Sequence, residues 1–121
     1  MLAETWDFMP SLKEERKFMS SCFLGGYIYV IGGQGHYNQD LRTIEKLRIK
    51  SSLREQKQQN WQKIQTSNLS GDYFSPRSFP IACPISPTQI LIMGGANERD
   101  LRGTLVLDVE ANQVGAVALK G

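Results

Sequence analysis

Histidine occurs once in this chain, at His36, and cysteine twice, at Cys22 and Cys83. A zinc or catalytic metal centre draws three or four ligands from His, Cys and acidic residues at short spacings, and these three positions do not supply such a set. Two cysteines also fall short of a disulfide framework. Long hydrophobic runs are missing too: the longest clear one is YIYVI, 27–31, far below the length of a membrane-crossing helix. The opening MLAETWDFMP has no basic region followed by an apolar stretch, so no signal peptide is expected. The cysteines are then expected to stay reduced, in a cytoplasmic protein. Charge of one sign is scarce as well. Fourteen Lys and Arg against twelve Asp and Glu leave +2, which argues against a dedicated nucleic-acid or membrane-surface binder. What remains is ordinary: 121 residues, 40% apolar and 21% charged, enough for a buried core without staples.

The chain repeats itself. Arg16-Lys17-Phe18 opens one segment and Arg77-Ser78-Phe79 another. A cysteine follows each arginine by six residues, then an apolar run, YIYVI or QILIM, then a diglycine, Gly32-Gly33 or Gly94-Gly95. Asp-Leu-Arg follows at 40–42 and 100–102. The offset is 61 residues at the arginine, 62 at the diglycine and 60 at Asp-Leu-Arg. Five landmarks in one order at a nearly fixed offset mark an internal repeat.

The second copy decides how to read the first. Alone, YIYVIGGQG followed by DLRTIEKLRIKSSLREQK could be strand, glycine turn and helix, the start of a dinucleotide-binding unit. The third glycine of that fingerprint is Asn38, however. The second copy continues as GTLVLDVEANQ, a branched, turn-terminated strand pattern. Residues 43–49 are therefore expected as a strand, with Thr43, Glu45, Leu47 and Ile49 on one face. The expected fold is all-β. A first strand lies near 5–9. Copy one has strands near 18–24, 27–31, 43–49 and 61–65, and copy two near 79–84, 89–93, 104–108 and 114–119. Gly25-Gly26 reads as a two-residue hairpin turn. The polar 50–60 stretch is a long connection with room for a helical turn.

Four strands per repeat, with a diglycine closing the second, resemble the kelch repeat of β-propellers. The residues that carry the resemblance are Arg16 and Arg77, the diglycines Gly32-Gly33 and Gly94-Gly95, Glu45, and the tryptophans Trp6 and Trp61. It implies two four-stranded antiparallel blades of an incomplete ring. Residues 1–15 would be the end strand of a preceding blade with a linker, 16–66 blade one and 67–121 blade two. It also implies that tryptophan packs over the crowded glycine backbone. The sequence departs from the pattern at Leu47, where a tyrosine is usual, and copy two has no clear match to Glu45.

The diglycines are read as structural, since no Lys-Ser/Thr follows to cradle phosphate. No catalytic constellation is identifiable, so the protein is expected not to be an enzyme and to need no cofactor or metal. Cys22 and Cys83 are read as small buried apolar residues on neighbouring blades. Stacked sheets lie ~10 Å apart, too far for a disulfide, whose Cα atoms approach within ~7 Å. The basic residues Arg42, Lys46, Arg48, Lys50, Arg54 and Lys57, set against Glu45 and Glu55, read as a solvated face, with an acidic partner as the alternative.

In an up-and-down blade the loops after the second and fourth strands share one side. That side would collect His36, Tyr37 and Asn38, then Asp72, Tyr73 and Phe74, and also Asn97, Glu98 and Arg99. Exposed aromatics on rigid loops suit protein binding, so these are the candidate partner-contact residues, unless the aromatics cover the blade core. The resemblance implies a protein-interaction module or scaffold with a protein partner. The alternatives are part of a propeller enzyme of the oxidase or sugar isomerase type, or an incomplete product without activity of its own. Further blades or self-association are expected to cover the apolar blade faces.

Overall fold

The computed structural model describes residues 10–64, 67–68 (backbone), 80–95 and 104–117. Two sheets are present. The first holds β1 (Ser20–Leu24), β2 (Tyr27–Ile31), β3 (Ile44–Arg48) and, beyond the single helical turn α1 (Leu53–Lys57), β4 (Gln62–Lys63). These pair in chain order, all antiparallel. The second holds β5 (Ser67–Asn68), β6 (Ile81–Ser86), β7 (Gln89–Met93), β8 (Thr104–Asp108) and β9 (Gln113–Val117). Its order is β5-β9-β8-β7-β6, with β6 to β9 an antiparallel meander and β5 added parallel to β9. The fold is all-β, two blades side by side in a ring that does not close. The strand expected at 5–9 lies outside the described residues.

Glycine sets the chain reversals. Gly25 and Gly26 join β1 to β2 with φ of 60° and 83°, the left-handed pair of a type I′ hairpin turn. Gly32 and Gly33 end β2 at 64° and 99°, and Gly94 and Gly95 end β7 at 62° and 99°. The two copies therefore reuse one backbone device. The shift in repeat offset from 61 to 62 also has a structural cause. Pro84 pairs with Ile90 and Ser86 with Gln89, so Ile85 is an extra, bulged residue in β6.

Side chains alternate across each strand. On the first sheet Cys22, Leu24, Tyr27, Tyr29, Ile31 and Ile44 face the second sheet, which answers with Ala82, Ile90, Ile92, Leu105, Leu107 and Val114. This is one shared core, sealed at its inner edge where the Ala82 amide donates to Ser20 Oγ at 3.0 Å. The opposite side of the first sheet carries Val30, Glu45 and Leu47, all buried. Strand β3 thus shows the period of two read from the sequence, and the helical alternative does not occur.

Several expectations need correction. The fourth strand of the first sheet is only two residues, β4, and the second sheet has a fifth short strand. Met19 is not in β1, because Phe18 takes a left-handed φ of 56° and the strand begins at Ser20. Cys22 is half-buried but Cys83 is exposed, so only one of the pair is a sheltered residue. Both thiols are free. Burial, with Cys83 nearby, pushes the Cys22 thiol up to about 11. In the basic stretch Arg42, Arg48, Arg54 and Lys57 are exposed and Lys46 and Lys50 half-buried. Lys46 and Arg48 lie over the Tyr27 ring at 4.7 and 5.1 Å, Arg54 and Lys57 ride on α1, and Glu45 points into the interior. The 50–60 connection is held by buried Gln56, whose amide donates to Arg48 O and accepts from Lys50 N.

A Cβ on Gly33 would meet Lys17 O at 2.5 Å, whereas one on Gly25 would meet nothing within 4 Å. Asparagine tolerates the left-handed region. Gly25→Asn should therefore leave the urea midpoint unchanged or slightly raised. Gly33→Asn should destabilise by more than about 1 kcal/mol. Paired denaturation curves check this, and equal effects would contradict the crowding argument.

Candidate functional site

The entry to β1, the β2–β3 loop and the exit from β4 lie at one end of the first sheet. There the chain builds a clamp around Arg16. Its Nη1 donates to Gly32 O at 3.1 Å and Thr43 O at 2.9 Å. Its Nη2 donates to Thr43 Oγ1 at 3.0 Å and to Glu45 Oε2 at 2.7 Å. The Arg16 and Glu45 side chains are both fully buried. Glu45 completes its shell by accepting from the Lys13 amide at 2.5 Å and the Glu14 amide at 3.1 Å. A planar guanidinium with five donors can serve four acceptors at once, which an ammonium on a flexible stem cannot do in fixed directions. Arg16 Nε alone has no partner.

Thr43 passes the network outward, its hydroxyl donating to Glu14 Oε1 at 2.6 Å, and Lys63 reaches the same oxygen at 3.3 Å. The Thr43 hydrogen bond holds the Glu14 carboxyl below its ordinary range. Partial burial opposes this, while Lys63 and Arg16 add to it. Trp61 adds a link to the chain that precedes the clamp. Its indole Nε1 donates to Pro10 O at 3.0 Å, pinning the incoming segment. The groups that crowd Gly33 are Lys17 and Met19.

Above the clamp sits the loop 34–40. Gln34 bridges to both Lys17 and Asp40. The Gly35 amide donates to Gln39 O, the Asn38 amide to Gly35 O and the Leu41 amide to Gly33 O, all within 3.0 Å. Asn38 takes a left-handed φ of 60°, which suits asparagine. The loop is thus fixed by its own backbone bonds, and it presents Tyr37 at 84% exposure. His36 packs edge-on against that ring, with centroids 4.8 Å apart, and its Nδ1 lies 3.2 Å from Glu15 Oε2. A shallow recess of about 110 Å³ opens beside them, lined by Glu15, Arg16, Lys17, Gln34, Gly35 and His36. Exposed Phe18 and Met19 adjoin it in sequence, with the Lys17 ammonium 5.5 Å from the Phe18 ring centre.

Of the candidate contact residues, His36, Tyr37 and Asn38 are therefore together on this side. Tyr37 does not cover a blade core. The calls on Asp72, Tyr73, Phe74, Asn97, Glu98 and Arg99, and on Arg77 and Trp6, lie outside the described residues. Sequence reasoning missed Glu15, Lys17, Phe18 and Met19. Lys13, Glu14 and Arg16 are placed by the clamp, but no sequence signal announces a left-handed phenylalanine. Among the described residues no group of three or more His, Cys, Asp or Glu could hold a metal ion. None of their helices is long and apolar enough to cross a membrane.

The second copy keeps the geometry and changes the chemistry. Glu45 pairs with Val30, and the corresponding register position after Gly94-Gly95 is Leu105, opposite Ile92. Leu105 is buried in the shared core, so a leucine occupies the place of the buried carboxylate. Residues 15–63 match the kelch motif, the span from the clamp arginine to the last strand of the first sheet. No curated protein matches the chain.

Removing one member of a buried ion pair strands the other, at a cost of about 3–5 kcal/mol. Glu45→Leu alone should destabilise by about that amount. The double change Arg16→Met with Glu45→Leu should recover a large part of it, because it copies the apolar solution used at Leu105. A double-mutant cycle by urea denaturation measures this, and additive losses would contradict the pairing.

Proposed function

We propose, starting from the kelch motif that residues 15–63 carry, that this chain is a protein-interaction module whose contact surface is the loop end of the first blade. The observation that carries the reading is Tyr37. It is a large aromatic side chain left almost wholly exposed on a loop whose backbone is already ordered. Ordering such a loop costs nothing further on binding, and aromatic residues are frequent energetic anchors of protein interfaces. Phe18 and Met19 extend the apolar surface, and Lys17, Glu15 and His36 give it a mixed polar rim. The partner surface suited to this is a protein patch with an apolar pocket and charges of both signs.

We read the role as binding rather than catalysis. The one histidine is engaged by Glu15 and set edge-on against Tyr37. We read the compartment as the reducing cytoplasm, since an exposed free thiol such as Cys83 is readily oxidised elsewhere.

Tyr37→Ala and Phe18→Ala should each weaken partner capture about tenfold or more, with no change in melting temperature for Tyr37→Ala. Quantitative mass spectrometry of proteins retained by the wild type and by each variant gives the comparison. A partner retained equally by both variants but lost by Leu53→Ala, at the other end of the sheet, would sink this assignment.

A further inference from the structure

The two blades reuse one turn at the end of the sheets away from Arg16, and they charge it oppositely. In the first blade the Ile49 amide donates to Gly26 O at 2.9 Å, just past the Arg48–Tyr27 pair that ends the β2–β3 ladder. In the second the Val109 amide donates to Thr88 O at 2.8 Å, just past the matching Asp108–Gln89 pair. The register thus makes Arg48 the counterpart of Asp108, and Lys50 the counterpart of Glu110. The fold accepts either sign at these positions, so the cations of the first blade are not required by its backbone.

Those cations are nevertheless held in place. Lys46 and Arg48 lie over the Tyr27 ring at 4.7 and 5.1 Å. A Cβ on Gly26 would meet Arg48 Nη1 at 3.3 Å, so the guanidinium folds across the β1–β2 turn. Buried Gln56 ties α1 to the segment that carries Arg48 and Lys50, donating to Arg48 O and accepting from the Lys50 amide. Exposed Arg54 and Lys57 come with it, surface neighbours three residues apart on α1. Glu55 is the only acidic residue from 46 to 64. The other glutamates of this blade are engaged at its opposite end, Glu14 by Thr43 and Lys63, Glu15 by His36 and Glu45 by Arg16. Five cations, Lys46, Arg48, Lys50, Arg54 and Lys57, therefore share this end with one carboxylate.

We propose that this end of the first blade docks an acidic protein segment, a run of Asp and Glu side chains held by charge complementarity. Tyr27, Lys46 and Arg48 form a floor that is ordered beforehand, which limits the entropy lost on binding. Lys50 and Arg54 supply further cations around it. The turn of the second blade at the same end is acidic. Asp108 accepts from the Glu110 and Ala111 amides there, and Glu110 is exposed. Like charge on that turn repels the segment and confines it to the first blade. A single-stranded nucleic acid fits less well, because base stacking needs an open aromatic face and the Tyr27 ring is already covered by two cations. This surface lies at the opposite end of the blade from Tyr37 and goes beyond the role given to that loop, so either can fail without the other.

An octaglutamate peptide is the probe, titrated into the isotope-labelled chain and followed by amide chemical shifts. The shifts should concentrate at 26–27 and 46–57, and binding should weaken as sodium chloride is raised. Arg48→Glu and Arg54→Glu should each weaken it by at least about fivefold, and Glu110→Lys should tighten it. Arg54 is exposed on α1, so its variant should keep the wild-type melting temperature and decides the matter if Arg48→Glu disturbs the Tyr27 contact. Tyr37→Ala should bind the peptide as the wild type does. No saturable shift, shifts centred on the 34–40 loop, an Arg54→Glu variant that binds as tightly as the wild type, or tighter binding of oligouridylate or of phosphatidylserine vesicles than of the peptide would each overturn the proposal.

Discussion

The first blade depends on one guanidinium. Arg16 joins the segment before β1 to the end of β2 and the start of β3, through Gly32 O, Thr43 and Glu45. Burying two opposite charges is costly, and the attraction between them offsets this only when the remaining donors and acceptors are satisfied. Here the two amides of Lys13 and Glu14 fill the carboxylate, and two backbone carbonyls and a hydroxyl take the other Nη protons, which leaves the Nε proton alone unsatisfied. The arrangement therefore fixes geometry more than it adds stability. A non-strand segment, 10–17, is thereby tied to the sheet through its backbone as well as its side chains.

That fixation is what makes the surface above it usable. Gly33 allows Lys17 O to approach where a side chain would collide, so Lys17 and Gln34 can bridge, and the bridge starts the loop that raises Tyr37. The second blade shows the same fold reached without the charge pair. Leu105 meets the shared core where Glu45 meets a clamp, because its face is turned to the first blade and has apolar neighbours. One position in the repeat thus takes a carboxylate when chain entry must be pinned, and a leucine when a sheet must be received.

Much of this was legible in the residues. The repeat fixed the type of each strand, and β2, β7 and β8 run where the apolar pattern placed them. The diglycines were read correctly as backbone devices. Period two in TIEKLRI put Glu45 and Leu47 on one face, but it could not say that the glutamate is buried, because only the partner Arg16, 29 residues away, makes that tolerable. The bulge at Ile85 was present in the sequence as a change of offset by one, and only pairing gives it meaning. The exposure of Cys83 was not legible. Equivalent sequence positions suggested equivalent burial, yet the first blade's cysteine faces a neighbour and the second's does not. Phe18 escaped for a similar reason: its left-handed φ lies between the Lys17–Gln34 bridge on one side and the β1 ladder from Ser20 on the other, and does not follow from its own preference.

The central claim is that the Arg16 clamp orders a segment outside the sheets as tightly as the strands themselves. Native-state hydrogen exchange resolves this at the amides of Lys13 and Glu14, which donate to the side-chain carboxylate of Glu45 rather than to a strand carbonyl. The account predicts that both exchange with the same opening free energy as core amides of β2 and β3, and that Glu45→Gln lowers this for the two together. Exchange of Lys13 and Glu14 at the rate of the unprotected loop amides, while β2 and β3 stay protected, would contradict it.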